Sequence, residues 1–129
     1  MTVREITSCL DQWAPLAYAE DFDNVGLLVG SFDQKIERVL VTHDAIESVV
    51  DEAIESRCNL IICFHPIIFK GLKRITNGTY VERAVTKAIK NDIAIYALHT
   101  ALDVQIDGVN KGLADALQLN DRKVLVPSK

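Results

Sequence analysis

The chain has 129 residues, 49% of them hydrophobic, which is enough for one domain with a real core that buries roughly two-thirds of its unfolded surface. A net charge of −4, with basic residues scattered except at Lys70, Lys73 and Arg74, argues against direct nucleic-acid binding, which needs a clustered positive face. Three cysteines without a C-x-x-C pair, no signal-peptide pattern and no apolar run of membrane length predict a soluble cytoplasmic protein in a reducing compartment, with no membrane contact.

Thr2-Val3-Arg4-Glu5 reads as a capping box. Ile6, Cys9, Leu10 and Trp13 follow at helical spacing, so a first helix is expected over Val3 to Trp13, with Trp13 closing its apolar stripe as core. Ala14 to Asn24 reads as loop and Val25 to Val29 as a short strand ending at Gly30. A strand over Arg38 to Thr42 leads into Asp44-Ala45-Ile46-Glu47, a cap-like start that suggests Asp44 as an N-cap. Ile46, Val49, Val50, Ala53 and Ile54 then form one helical stripe.

Leu60 to Phe64 is apolar throughout, as expected for a strand covered on both faces. Thr79 and Glu82 repeat the capping box before a helix with Val81, Ala84, Val85, Ala88 and Ile89 inward, and Ile93 to Leu98 supplies the next strand. A last helix is expected over Asp107 to Gln118, with Val109, Leu113, Ala116 and Leu117 inward, and Lys123 to Val126 resembles one more strand. Strands separated by capped helices predict a single α/β domain over residues 1–129, with a mostly parallel sheet, βαβ crossovers and helices on both faces.

All three histidines, His43, His65 and His99, fall within a residue or two of the end of an apolar run. Parallel strands would bring them to one carboxyl edge of the sheet together with Asp44 and Asp103, and ligands of open α/β sheets bind at that edge. Imidazole and carboxylate suit a borderline divalent metal. Pro66 biases His65 towards an extended backbone, so its ring projects at the strand end.

In His99-Thr100-Ala101-Leu102-Asp103 a stretch of loop separates the imidazole from the carboxylate, and Asp103 is either a ligand or a turn cap. His43 has no local pattern in its favour and is expected to be exposed or to act behind the ligands. Cys63 alternates with His65 across the strand and reads as buried and inert. No Ser, His and Asp set is recognisable, and Gly26-x-x-x-Gly30 is neither a Walker loop nor a dinucleotide fingerprint. Lys70, Lys73 and Arg74 read as a solvated loop face, or as a substrate-phosphate contact if a metal lies beside them.

Three segments in order, Asp21-Phe22-Asp23-Asn24-Val25-Gly26-Leu27, Phe64-His65-Pro66-Ile67-Ile68-Phe69-Lys70-Gly71-Leu72-Lys73 and His99-Thr100-Ala101-Leu102-Asp103, resemble the Nif-three-like family, also called GTP cyclohydrolase 1 type 2 homologues. The resemblance runs from Pro15 to Leu119. It implies an α/β protein that assembles into homo-oligomeric, ring-shaped hexamers and carries a pair of divalent metal ions. The family's second histidine before the proline matches His65, while the first corresponds to Phe64, which cannot coordinate. The family's metal-binding aspartate matches Asp103, and the histidine of the same segment matches His99; Ala101 stands in place of the usual asparagine.

The remaining ligands of that pattern, a His-x-x-x-Glu set near the family's C-terminus, have no counterpart after His99; the His43-x-x-x-Glu47 spacing lies early in the chain, at the first strand-to-helix turn. The resemblance therefore implies the N-terminal lobe of a longer protein, with His65 and Asp103 as metal ligands and weak or single metal binding by this length alone; in a metal-dependent hydrolysis His99 is the candidate catalytic general base. Zinc, manganese, iron and magnesium are not distinguished. The function so implied is metal-dependent hydrolysis of a nucleotide or another small molecule. The alternative is a non-catalytic, metal-ordered interaction or assembly module linked to transcriptional regulation.

Overall fold

A computed structural model describes residues 1–126. Helix α1 spans Val3–Trp13, and its capping box is formed: Glu5 N donates to Thr2 Oγ1 at 3.3 Å and Thr2 N to Glu5 Oε2 at 2.7 Å. The strands are β1 (Gly26–Val29), β2 (Val39–Asp44), β3 (Leu60–His65) and β4 (Ala94–Ala97), and they make one sheet in the order β1-β4-β3-β2. The pairs β2·β3 and β3·β4 are parallel, while β1 runs antiparallel to β4. The sheet is thus mixed and mostly parallel. Gly30 ends β1 at φ +102°, and a Cβ there would come within 2.8 Å of the Ala94 side chain, so the close approach of β1 to β4 requires a glycine.

Helices α2 (Glu47–Glu55) and α3 (Tyr80–Lys90) cover one face of the sheet. There Val50, Ala53, Ala84, Val85 and Ala88 pack with Ile61, Cys63, Ile95 and Ala97. On the opposite face Val3, Ile6 and Leu10 of α1 meet Leu60, Ile62, Ala94 and Tyr96. The two clusters take alternate residues of β3 and β4, as a strand covered on both faces must. The expected α/β architecture with helices on both faces is therefore present.

Several local expectations are corrected. Trp13 is 47% exposed, because α1 lies over β3 and β4 and its last turn reaches the open side of the sheet. The segment from His99 to Asp103 is a short helix, α4, and not a loop. The last helix, α5, covers only Val109–Ala116; Leu113 and Leu117 are exposed, and Ala114 is its buried contact. Ile46, Ile54 and Ile89 are likewise exposed, since α2 and α3 bury their small residues against the sheet and each other. Residues 123–126 form no strand and are exposed.

At the start of α3 the Thr79 hydroxyl accepts from Glu82 N at 3.2 Å, but the Glu82 carboxylate does not complete the box. It turns to Thr76 N at 2.7 Å and Gly78 N at 3.0 Å, and so organises the preceding loop. Among the described residues no helix is long and apolar enough to cross a membrane, and all three cysteines are free.

Candidate metal centre

Because β2, β3 and β4 are parallel, their carboxyl ends share one edge, and the three histidines meet there. The ring centroids of His43 and His65 are 4.4 Å apart and those of His65 and His99 are 5.4 Å apart. The register pairs Asp44 with His65, so their side chains leave neighbouring strands on the same face. Asp44 is not an N-cap: α2 is capped at Ile46 without a side-chain bond, and β2 runs on through Asp44.

Its carboxylate lies between two imidazoles instead, with Oδ1 2.8 Å from His65 Nδ1 and Oδ2 3.2 Å from His43 Nδ1. The hydrogen bond with His65, and after it the one with His43, holds the Asp44 carboxyl below the usual aspartate range. Ligand atoms of His43, Asp44 and His65 all lie within 4.8 Å of one another. Two nitrogens and a carboxylate oxygen at that spacing fit one divalent ion after small rotations of half-exposed side chains.

His99 stands beside this group on a second carboxylate. Its Nδ1 is 2.8 Å from Asp23 Oδ1, and the Asp23 side chain is fully buried. Burial alone would raise the Asp23 pKa. The bonds from His99, from the Thr100 side chain and from the backbone N–H groups of Asn24 and Thr100 outweigh it and hold the carboxyl below its ordinary value. Asn24 Nδ2 in turn donates to the Ile68 carbonyl, which ties the loop carrying Asp23 to the segment after His65.

Phe64 is part-exposed at the strand end. Its ring stacks on His43 at 5.4 Å and lies 5.4 Å from His99. Cys63 is buried, its thiol donates to the Tyr96 carbonyl at 3.5 Å, and burial pushes its pKa up to about 12, so it is inert. Asp103 ends α4, half-buried, with its carbonyl accepting from Asn110 Nδ2 at 3.0 Å. It lies outside the group formed by His43, Asp44 and His65.

The sequence places Asp44 at this edge while favouring an N-cap role for it, and it gives no role to Asp23. Nothing local separates Asp23 from Asp21, and only strand register brings Asp44 beside His65.

A mostly parallel α/β sheet with histidines and carboxylates gathered at its carboxyl edge is the class of open α/β fold whose ligand sites lie at strand ends. The chain belongs to the DUF34/NIF3 (NGG1p interacting factor 3) family, whose model matches residues 1–129. It is 46% identical over 125 residues to the GTP cyclohydrolase 1 type 2 homolog of Bacillus subtilis, covering 97% of this chain and 34% of that protein. It is 44% identical over 119 residues to NIF3-like protein 1 of Drosophila melanogaster, covering 92% and 41% respectively.

Among solved structures, a Bacillus cereus protein related to NIF3 superposes with a TM-score of 0.94 at 42% identity, over 100% of this chain and 35% of the other. Reduced HcgD from Methanocaldococcus jannaschii superposes at 0.88 with 28% identity, over 98% and 50%. The chain thus spans between about a third and a half of the length of these relatives.

Proposed function

We propose that this chain carries the metal-binding edge of a hydrolase-like protein, with His43, Asp44 and His65 as the groups that hold a divalent cation. The observation that carries the reading is the Asp44 carboxylate set between two imidazoles at the carboxyl edge of the sheet. Asp103 is the further carboxylate that the family resemblance assigns to the metal. Imidazole donors favour zinc or iron over magnesium. A bound divalent ion supplies Lewis-acid chemistry, polarising an electrophile and acidifying water.

His99 supplies the proton transfer. Its Nε2 accepts a proton from water as the water oxygen bonds to an electrophilic carbon or phosphorus, and returns that proton to the leaving group as the old bond breaks. A nucleotide substrate is the reading suggested by the names of the Bacillus and related homologues.

Calorimetric titration of the chelator-treated protein with zinc tests the ligand set. One site is expected, weakened at least tenfold in His65→Ala and in Asp44→Ala and weaker as pH falls, because the ligands must be deprotonated. Zinc at about a hundred times its Kd should stabilise the fold by about 2.7 kcal/mol. Equal affinity in wild type and His65→Ala removes the reading. An equal loss in Asp103→Ala places that carboxylate in the set.

A second reading, a metal-ordered interaction or assembly module such as a homo-oligomeric ring, is favoured by one feature. An apolar groove of about 310 Å³ runs beside the site, lined by Leu10, Trp13, Val41, Phe64 and Leu102 among others. Zinc binding that changes oligomeric state without any hydrolysis of nucleotides would select it.

A further inference from the structure

We propose that Asp23 is the positioning residue of this site: its buried carboxylate fixes His99 as the Nδ1–H tautomer and clamps the strand-to-helix turn, so that Nε2 is the bare nitrogen of a ring whose centre lies 5.4 Å from that of His65. The proposal deepens the hydrolase reading, since a proton acceptor needs that lone pair, but the tautomer itself does not depend on a metal.

An ionised carboxylate only accepts hydrogen bonds, so the proton on the His99–Asp23 contact belongs to Nδ1. A neutral imidazole then has its lone pair on Nε2. The same carboxylate takes three more donors: Asn24 N at 2.8 Å, Thr100 N at 3.1 Å and the Thr100 hydroxyl. Thr100 Oγ1 also accepts from Glu20 N at 3.0 Å, which leaves its hydrogen free to point at Asp23. Oδ1 therefore serves His99 and Asn24, and Oδ2 serves Thr100.

The backbone explains why such a clamp is needed. His99 has φ +32°, in the left-handed region that a non-glycine residue rarely enters. Such conformations persist where the surroundings over-determine them, and they gather at functional sites. Here the imidazole of His99 and the N–H of the next residue are both tied to one buried side chain. The ring they fix lies 5.4 Å from both His65 and Phe64 and 6.3 Å from Phe69. A histidine serving only to fill space would need neither the buried charge nor the unusual backbone.

The test reads the tautomer directly. Long-range proton–nitrogen correlation spectra of the ¹⁵N-labelled, chelator-treated protein at a pH of about 8, above the ordinary imidazole range, report which ring nitrogen of each histidine is protonated. For His99 the expected result is a protonated Nδ1, its hydrogen protected from exchange, and a bare Nε2. In Asp23→Asn the amide donates to Nδ1 and the ring should convert to Nε2–H. Thr100→Val, which keeps the carboxylate, should leave the tautomer as in wild type.

An Nε2–H or mixed tautomer in wild type, or an unchanged tautomer in folded Asp23→Asn, overturns the proposal. If Asp23→Asn does not fold, the exchange-protected Nδ1 hydrogen of wild type and its persistence in Thr100→Val decide the matter. Zinc titration of the same samples keeps the two readings apart. Absence of zinc binding ends the metal proposal and leaves the tautomer result standing, whereas a wrong tautomer ends the role of Asp23 whether or not zinc binds.

Discussion

At the scale of single residues, the site depends on which strand-end side chains carry a lone pair. Position 64 carries none, although the Phe64 ring is part-exposed among His43, His65 and His99. Phe64→His should therefore place a fourth imidazole beside His43, His65 and His99 at no cost in buried polar groups. We expect zinc to bind at least tenfold more tightly, about 1.4 kcal/mol, with the metal-free melting temperature little changed. Calorimetry with parallel melts checks this; unchanged affinity with a lowered melting point would show that position 64 belongs to the core. Sequence made His65 and His99 legible because a histidine directly after an apolar run is a local pattern. The partners of Asp23 and Asp44 were illegible for the opposite reason: one acts across 76 residues of chain and the other across 21. Spacing along a sequence holds no record of such pairings.

At the scale of elements, periodicity found α1 with its observed ends, because a reciprocal capping box is a local device. It did not find which part of the stripe is covered. Val3, Ile6 and Leu10 lie over β3 and β4, whereas Trp13 stands 47% exposed at the groove beside β2. Trp13→Ala should accordingly cost about 1–2 kcal/mol in chemical denaturation, well short of the roughly 3–5 kcal/mol of a buried tryptophan. A loss at the upper figure would mean that another part of the molecule covers this face in solution. The same limit applies to α5, where the pattern marked Leu113 and Leu117 as inward and the structure exposes both. An apolar stripe shows which face of a helix can be covered, and only the partner element decides whether it is.

Over the whole molecule, ionisable groups set the range of pH in which these elements stay together. Several carboxyls sit below their ordinary values in the fold. Burial opposes the shift at Asp23, but the bonds from His99 and Thr100 prevail; the backbone N–H groups of Thr76 and Gly78 depress Glu82; Arg83 depresses Glu47; and Lys111 depresses Asp115. A depressed carboxyl contributes stability that is fully present above its unfolded value, 3.8 for Asp or 4.5 for Glu, and is lost as pH falls through the lower folded value. Lys87, raised chiefly by its bond to Asp51, acts in the other sense and loses its contribution only as pH rises beyond 10.5. The melting temperature should therefore be level between those limits and fall steeply on the acid side. Salt separates the contributors, because it screens the exposed pairs of Glu47 and Asp115 but not the enclosed carboxylates of Asp23 and Glu82. Thermal melts across the acid range at about 1 M salt should keep most of the fall in wild type. In Glu82→Gln, which cannot accept from both Thr76 and Gly78 through a charged group, the curve should be flatter and the molecule less stable at neutral pH, the two curves converging as pH drops. Parallel curves at all pH values would show that Glu82 is protonated alike in the folded and unfolded chain, and the loop from Thr76 to Thr79 would then owe its order to contacts other than this carboxylate.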